Sequence, residues 1–270
     1  MKSFAHAGPD INEPDKPLIS RILPDILAFA IGLAAAYFLK WDIKDLVWSL
    51  WLCSLVLGYL TLLGALAGGA YIGVHAITHK DFKKSMRMTA ILMGLGLGAF
   101  FLGFFSLHFG AFHAGHSVFL QQFFPVEGMP KDGFGDAFMN PPLLWILVFK
   151  HLMAPYGLFL IPAIIAERQH VFMPLIKAVK AVRTDTAPDF RLSGRTEGQN
   201  GKKSHPAGDA MSRPYINVVR MHLLIFFFAF AHILKLDSFL VYAVVSFVYF
   251  FPWSEFKKRR ASNKPVDATA

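Results

Sequence analysis

The sequence predicts an all-α fold: a polytopic membrane helix bundle of six transmembrane helices with both termini in the cytoplasm. Three observations predict it. Hydrophobic residues make up 54% of the 270 and charged ones only 17%, against roughly a quarter charged in a soluble domain. Several uncharged apolar stretches reach the ~20 residues a helix needs to cross ~30 Å of hydrocarbon. The basic residues, finally, alternate between successive connections. Isolated strands cannot satisfy their backbone in lipid, so each stretch reads as a helix.

Residues 1–21 read as a cytoplasmic tail, mixing Asp10, Glu13 and Asp15 with Lys2, Lys16 and Arg21. No small-residue cleavage site follows an early apolar core, so the first span is expected to be retained. Residues 22–166 hold four spans, at about 22–40, 46–77, 88–108 (apolar to 124) and 143–166. The second exceeds one bilayer thickness, and Gly58, Gly64, Gly68, Gly69 and Gly73 offer it a close-packing face. Within 167–213, residues 169–183 place Val171, Phe172, Leu175, Ile176, Val179 and Val182 on one stripe. Lys177, Lys180 and Arg183 take the other side, the pattern of a basic amphipathic helix on the cytoplasmic leaflet. Residues 184–213 have little to bury and read as a flexible linker. Two further spans, 216–235 and 238–253, make up residues 214–253, and a basic tail fills 254–270.

Orientation follows from Lys and Arg. The tails and connections expected inside hold twenty-one and those outside hold four, Lys40, Lys44, Lys131 and Lys235. That asymmetry places both termini in the cytoplasm, and the expected location is a bacterial inner membrane, crossed several times. It also accounts for the net charge of +9 without nucleic acid as a partner. The expected partners are the bilayer, anionic lipid at the cytoplasmic face, and other membrane subunits. Lys150 and Arg220 lie within spans and can snorkel toward opposite faces. Lys150 beside His151, with Pro155 and Pro162 breaking the same helix, could instead line a polar cavity. The one cysteine, Cys53, sits in an apolar stretch and gives no disulfide framework.

The chemistry-bearing feature is LHFGAFHAGHSVF, residues 107–119, with His108, His113 and His116 in a run from 88 to 124 that has no charged side chain. At ~1.5 Å per residue the third span reaches the outer boundary near His108, leaving His113 and His116 on a helical extension or a re-entrant turn. His151 enters the same leaflet from the fourth span and His232 from the fifth. Any one such imidazole is usually hydrogen-bonded to a neighbour, but ionisable groups inside a bilayer are costly and tend to mark function. The candidate cofactor ligands are His108, His116, His151 and His232, with His113 added as a possible metal ligand. Neutral imidazoles suit Cu, Fe or Zn, or haem, and the lack of nearby thiolates argues against structural zinc. Glu127, Asp132 and Asp136 could add carboxylates or orient the rings. His108 and His116 are expected to share a polar site between helices, with Gly110 and Gly115 bending the backbone, and His113 is expected at its periphery.

Two comparisons limit this reading. His75 and His79 form an HxxxH like those of membrane desaturases, but the charge count puts them inside, opposite His113 and His116, and no doubled HH is present. A cytochrome-like pair of haems would use His222 and His232, ~15 Å apart on one helix, with His75 below and His108 or His151 above. The fit is loose.

The segments FFSLHFGAFHAGHSVF, WSLWLCSLVLG and RPYINVVRMHLLIFFFAF resemble a group of bacterial and archaeal multi-span membrane proteins known as a domain of unknown function. The resemblance covers most of residues 45–253. It rests on a His-aromatic-Gly-x-Phe-x3-His pattern, matched by His108, Phe109, Gly110, Phe112 and His116. Trp51 and Gly58 of the second span match it too, as do Pro214, Tyr215 and His222. Cys53 and Ser54 stand where the resemblance leads one to expect a Glu-Asn pair, and His113 is additional. The resemblance implies a fold and no activity. Two functions are therefore expected from the sequence: a metal- or haem-binding membrane protein, or a non-enzymatic transporter or accessory subunit whose histidines are structural or relay protons. Nothing has the form of a phosphate loop or a nucleophile elbow.

Overall fold

A computed structural model describes residues 18–183 together with Leu223, Phe226, Phe227, Phe228, Phe230 and Leu234. Among them every regular element is a helix: α1 Leu18–Phe38, α2 Ile43–Thr78, α3 Arg87–Phe123, the short α4 Gly133–Asp136, and a broken series of α5 Pro141–Leu147, α6 Met153–Tyr156, α7 Leu160–Ala166 and α8 Arg168–Arg183. Among the described residues three stretches are long and apolar enough to cross a membrane: Ile43–Thr78, Lys84–Phe123 and Pro141–Ala166. In α1 the apolar part is confined to Ile26–Phe38, because Arg21, Pro24 and Asp25 interrupt its opening turns. The expected linker 184–213, the span 238–253, all but six residues of 216–235 and both tails lie outside the described residues.

α2 begins where the chain can satisfy its orphan amides. Asp42 accepts the Asp45 amide at 3.1 Å, and the Asp45 carboxylate accepts the Asp42 amide at 3.0 Å, a reciprocal cap. It ends as His79 leaves helical dihedrals, with ψ 146°. Its 36 residues measure ~54 Å, well beyond one ~30 Å hydrocarbon layer. α3 continues past the expected boundary near His108 through Gly110, Gly115 and His116. The histidine run is thus a helical extension, not a re-entrant turn.

α2 and α3 run antiparallel, and the core gathers around the first half of α2. Trp48, Trp51, Leu52 and Leu55 are fully buried there, against Phe105 and Phe109 of α3. Phe134 of α4 stacks on Trp48 at 5.6 Å between centroids, and the Trp48 indole N–H donates to the Phe124 carbonyl at 2.8 Å. The first half of α3 is different: Met88, Leu92, Met93, Leu95 and Phe100 are all exposed.

α8 does not stand apart from the bundle. It packs lengthwise on the second half of α2, the most extensive helix–helix contact among the described residues. Glycine makes the approach possible. A Cβ at Gly64 would meet the Val171 carbonyl oxygen at 2.5 Å, and one at Gly68 the Pro174 carbonyl oxygen at 3.0 Å. Such backbone-on-backbone contact is what small residues in membrane helices permit. Of the other glycines expected on this face, Gly58 seats the Phe109 ring, whereas a Cβ at Gly69 or Gly73 would meet nothing within 4 Å among the described residues. The buried face of α8 includes Val171 and Ala178, while Phe172, Leu175 and Ile176 of the expected apolar stripe are exposed.

Gly64→Ala should therefore lower stability by about 1–3 kcal/mol, the usual range for overpacking. Gly69→Ala, with open space around it, should be neutral or stabilising by up to about 1 kcal/mol. Thermal unfolding in detergent compares the two. Equal stability of both variants would remove the glycine contact as a determinant of the fold.

Candidate functional site

The polar centre of the described bundle is His113, fully buried. Its position follows from Trp48, Trp51 and Ser54, which recur every three residues along α2 and so face α3 together. The His113 Nδ1 lies 3.0 Å from the Phe109 carbonyl oxygen and Nε2 3.2 Å from the Ser54 hydroxyl. A carbonyl can only accept, so Nδ1 carries the proton; Nε2 is then the acceptor and Ser54 donates to it. The backbone is engaged as well. The His113 carbonyl accepts the Trp51 indole N–H at 3.2 Å and the Ser117 hydroxyl at 2.8 Å. The imidazole meets Phe109 at 4.3 Å and Trp51 at 5.6 Å between ring centroids.

The remaining imidazoles are dispersed around this centre. His108 is exposed on α3, stacked on Phe104 at 5.5 Å and edge-on to Phe112 at 5.1 Å. His116 is buried one turn from His113, with ring centroids 6.2 Å apart. His108 and His116 both line an open apolar groove of about 610 Å³, closed on one side by Phe138 and Met139 from the connection before α5. His151 sits on a π-turn, Val148–Leu152, with its ring against Gly128, whose φ is 72°. Its Nε2 is buried and has no hydrogen-bond partner among the described residues. His232 and His222 lie outside the described residues.

One expectation is corrected by this geometry: His113, expected at the periphery, is the buried centre, because its partner Ser54 comes from the facing helix. His108, expected in a shared polar site, is exposed beside Phe104 and Phe112 and lines the same groove as His116. Among the described residues no group of three or more His, Cys, Asp or Glu side chains is placed to hold a metal ion. Glu127, Asp132 and Asp136 are exposed, and α3 stays helical through Gly110 and Gly115. The HxxxH pair is split as well: His79 has left α2 and its Nδ1 lies 3.4 Å from the Asp81 carboxylate. The residues missed from the sequence are Trp51, Ser54 and Ser117. The repeat of Trp48, Trp51 and Ser54 at intervals of three was the available signal.

Replacing His113 with Ala should cost about 2–4 kcal/mol, combining a cavity with an unsatisfied Ser54 and Phe109. His108→Ala should cost less than about 1 kcal/mol, as an exposed position. Unfolding midpoints in detergent check the order; a larger loss at His108 would contradict the geometry.

No curated protein and no solved structure matches the chain. A family model, Family of unknown function (DUF6498), does match, over residues 14–251, and the chain belongs to that family.

Proposed function

We propose that this is a multi-pass membrane protein of a non-enzymatic kind, a transporter or an accessory membrane subunit, whose histidines join helices. The observation that carries the reading is His113: both of its ring nitrogens are used inside the protein, one by Phe109 and one by Ser54. A ligating imidazole needs a free nitrogen pair of electrons, and His113 has already committed its own to the Ser54 proton. The purified protein should be colourless and should carry no stoichiometric metal. A haem Soret band, or one bound Cu, Fe or Zn per chain, would sink the proposal.

A second reading, ligation of such an ion or haem by His108, His116, His151 and His232, draws support from one observation. His108 and His116 line the same groove. If metal is found, loss of it on His108→Ala and His116→Ala, but not on His113→Ala, would favour that reading.

The proposal includes six spans in a bacterial inner membrane with both termini cytoplasmic, supported by the split of twenty-one basic residues against four. Within it, residues 1–21 and 254–270 are cytoplasmic tails, 22–166 and 214–253 the membrane parts, and 167–213 a cytoplasmic connection. Lys80, Lys83 and Lys84, with Lys177, Lys180 and Arg183, are exposed and suit anionic headgroups, about 1 kcal/mol each near the leaflet; salt-sensitive retention of anionic lipid measures this. Cysteines at Lys131 and Lys235 should react with an impermeant thiol reagent on intact cells, and those at Ser193 and Ser262 should not. Labelling of Ser193 from outside would reverse the orientation.

A further inference from the structure

We infer that the fourth passage back to the inner face is made by residues 160–183 rather than by 143–166, and that residues 125–159 remain on the outer side. The inference rests on the orientation proposed above but replaces the bounds given there, so that the cytoplasmic connection would begin after residue 183 rather than at 167. α2, unbroken over 36 residues, serves as a ruler. Trp145 meets Tyr59, with ring centroids 5.1 Å apart. Tyr156 has moved toward the start of α2, where its carbonyl accepts the Ser49 hydroxyl at 3.5 Å. Phe159 reaches Trp41, at 5.9 Å between centroids. Val171 then lies against Gly64, and Pro174 against Gly68.

From Tyr59 to Ser49 is ~15 Å along α2, and from Ser49 to Gly64 ~22 Å in the opposite direction. A straight helix from Tyr156 would carry Val171 ~22 Å further toward the start of α2 and beyond its end. The chain must therefore reverse between Tyr156 and Val171, although its length and composition alone qualify Pro141–Ala166 as one span. The structure supplies the place. Leu152 and Tyr156 have φ of −111° and −116°, far from the helical −63°. A 3₁₀ turn, Gly157–Phe159, joins α6 to α7, and such turns are common at joints between helices.

The two arms have different surroundings. The rising arm is covered by the connection after α3, with Leu147 against Gly133 and His151 against Gly128. The returning arm packs α7 on α1 and α8 on α2, ending with Lys180 and Arg183 toward the same end of α2 as Lys80, Lys83 and Lys84. Residues 160–183 span ~36 Å if helical, enough for one passage. Glu167, Arg168, Lys177 and Lys180 hide this arm from a hydropathy reading. Arg168 meets part of its demand at the Ile165 carbonyl, 2.7 Å away.

The test uses the full chain with Cys53 replaced by Ala, so that introduced cysteines report alone. Leu158, exposed at the turn, becomes Leu158→Cys, and Lys131→Cys marks the connection after α3. Reaction of both with an impermeant maleimide from the same side of the membrane supports the hairpin. A straight span would bury Leu158 ~22 Å below residue 143. Leu158→Cys reacting from the opposite side, or only after permeabilisation while Lys131→Cys reacts in intact cells, overturns it. The side on which Lys131→Cys reacts tests the orientation separately, so the two ideas fail in different ways. A second variant, Gly68→Cys with Ala178→Cys, places two Cβ atoms about 3.4 Å apart, within reach of a disulfide. Loss of both free thiols on mild oxidation is expected; persistent free thiols overturn the return of α8 along α2.

Discussion

An imidazole enclosed by two apolar helices must find partners for both nitrogens, since a buried polar group left unpaired costs about 1–3 kcal/mol. His113 finds them in its own helix and in the one facing it, and this demand organises the upper bundle. Ser54 has to stand opposite His113, which fixes the axial register of α2 against α3. Trp51 then donates to the His113 carbonyl, Trp48 to the Phe124 carbonyl, and Phe109 fills the space over Gly58. A slip of one residue would break all four. The apolar surfaces supply the driving force, but they are tolerant of register; the polar contacts are not.

The sequence made much of this architecture readable. The long uncharged runs gave α2 and α3, with α2 expected over about 46–77 and found over Ile43–Thr78. The all-helical character followed from the same runs. The contacts around the histidines were harder to read. His113 and His116, three apart, look like a chelating pair when only their own helix is considered, while the decisive partner, Ser54, is 59 residues away. His108 and His113 differ little in local sequence, yet one faces Phe104 and Phe112 outside and the other faces Trp51 within. Only the crossing of α2 over α3 separates them.

α8 illustrates a second limit. Its alternation of apolar and basic residues matches a helix lying on a leaflet, and periodicity carries no information about a neighbour that accepts backbone contact. Gly64 and Gly68 were readable as a close-packing pair, but not the segment that would use them, because Val171 and Pro174 contribute carbonyl oxygens rather than side chains. The turn at Gly157–Phe159 is equally silent in a hydropathy profile, since Leu158, Phe159 and Leu160 are as apolar as the helices they join. Pro155 and Gly157 were the visible marks.

The bare first half of α3 has a consequence for how the molecule is held together. Around His113 the helices are packed on protein, whereas a Cβ added at Gly94, Gly96, Gly98 or Gly103 would meet nothing within 4 Å among the described residues. One helix thus has two surroundings. The half around His113 owes its order to specific contacts and keeps it wherever those contacts persist, while the other half, where it lies in a bilayer, would answer to the thickness and composition of that bilayer through the cost of mismatch per ångström. A change of membrane acts on one end of α3 and leaves the register of the other to Ser54 and His113.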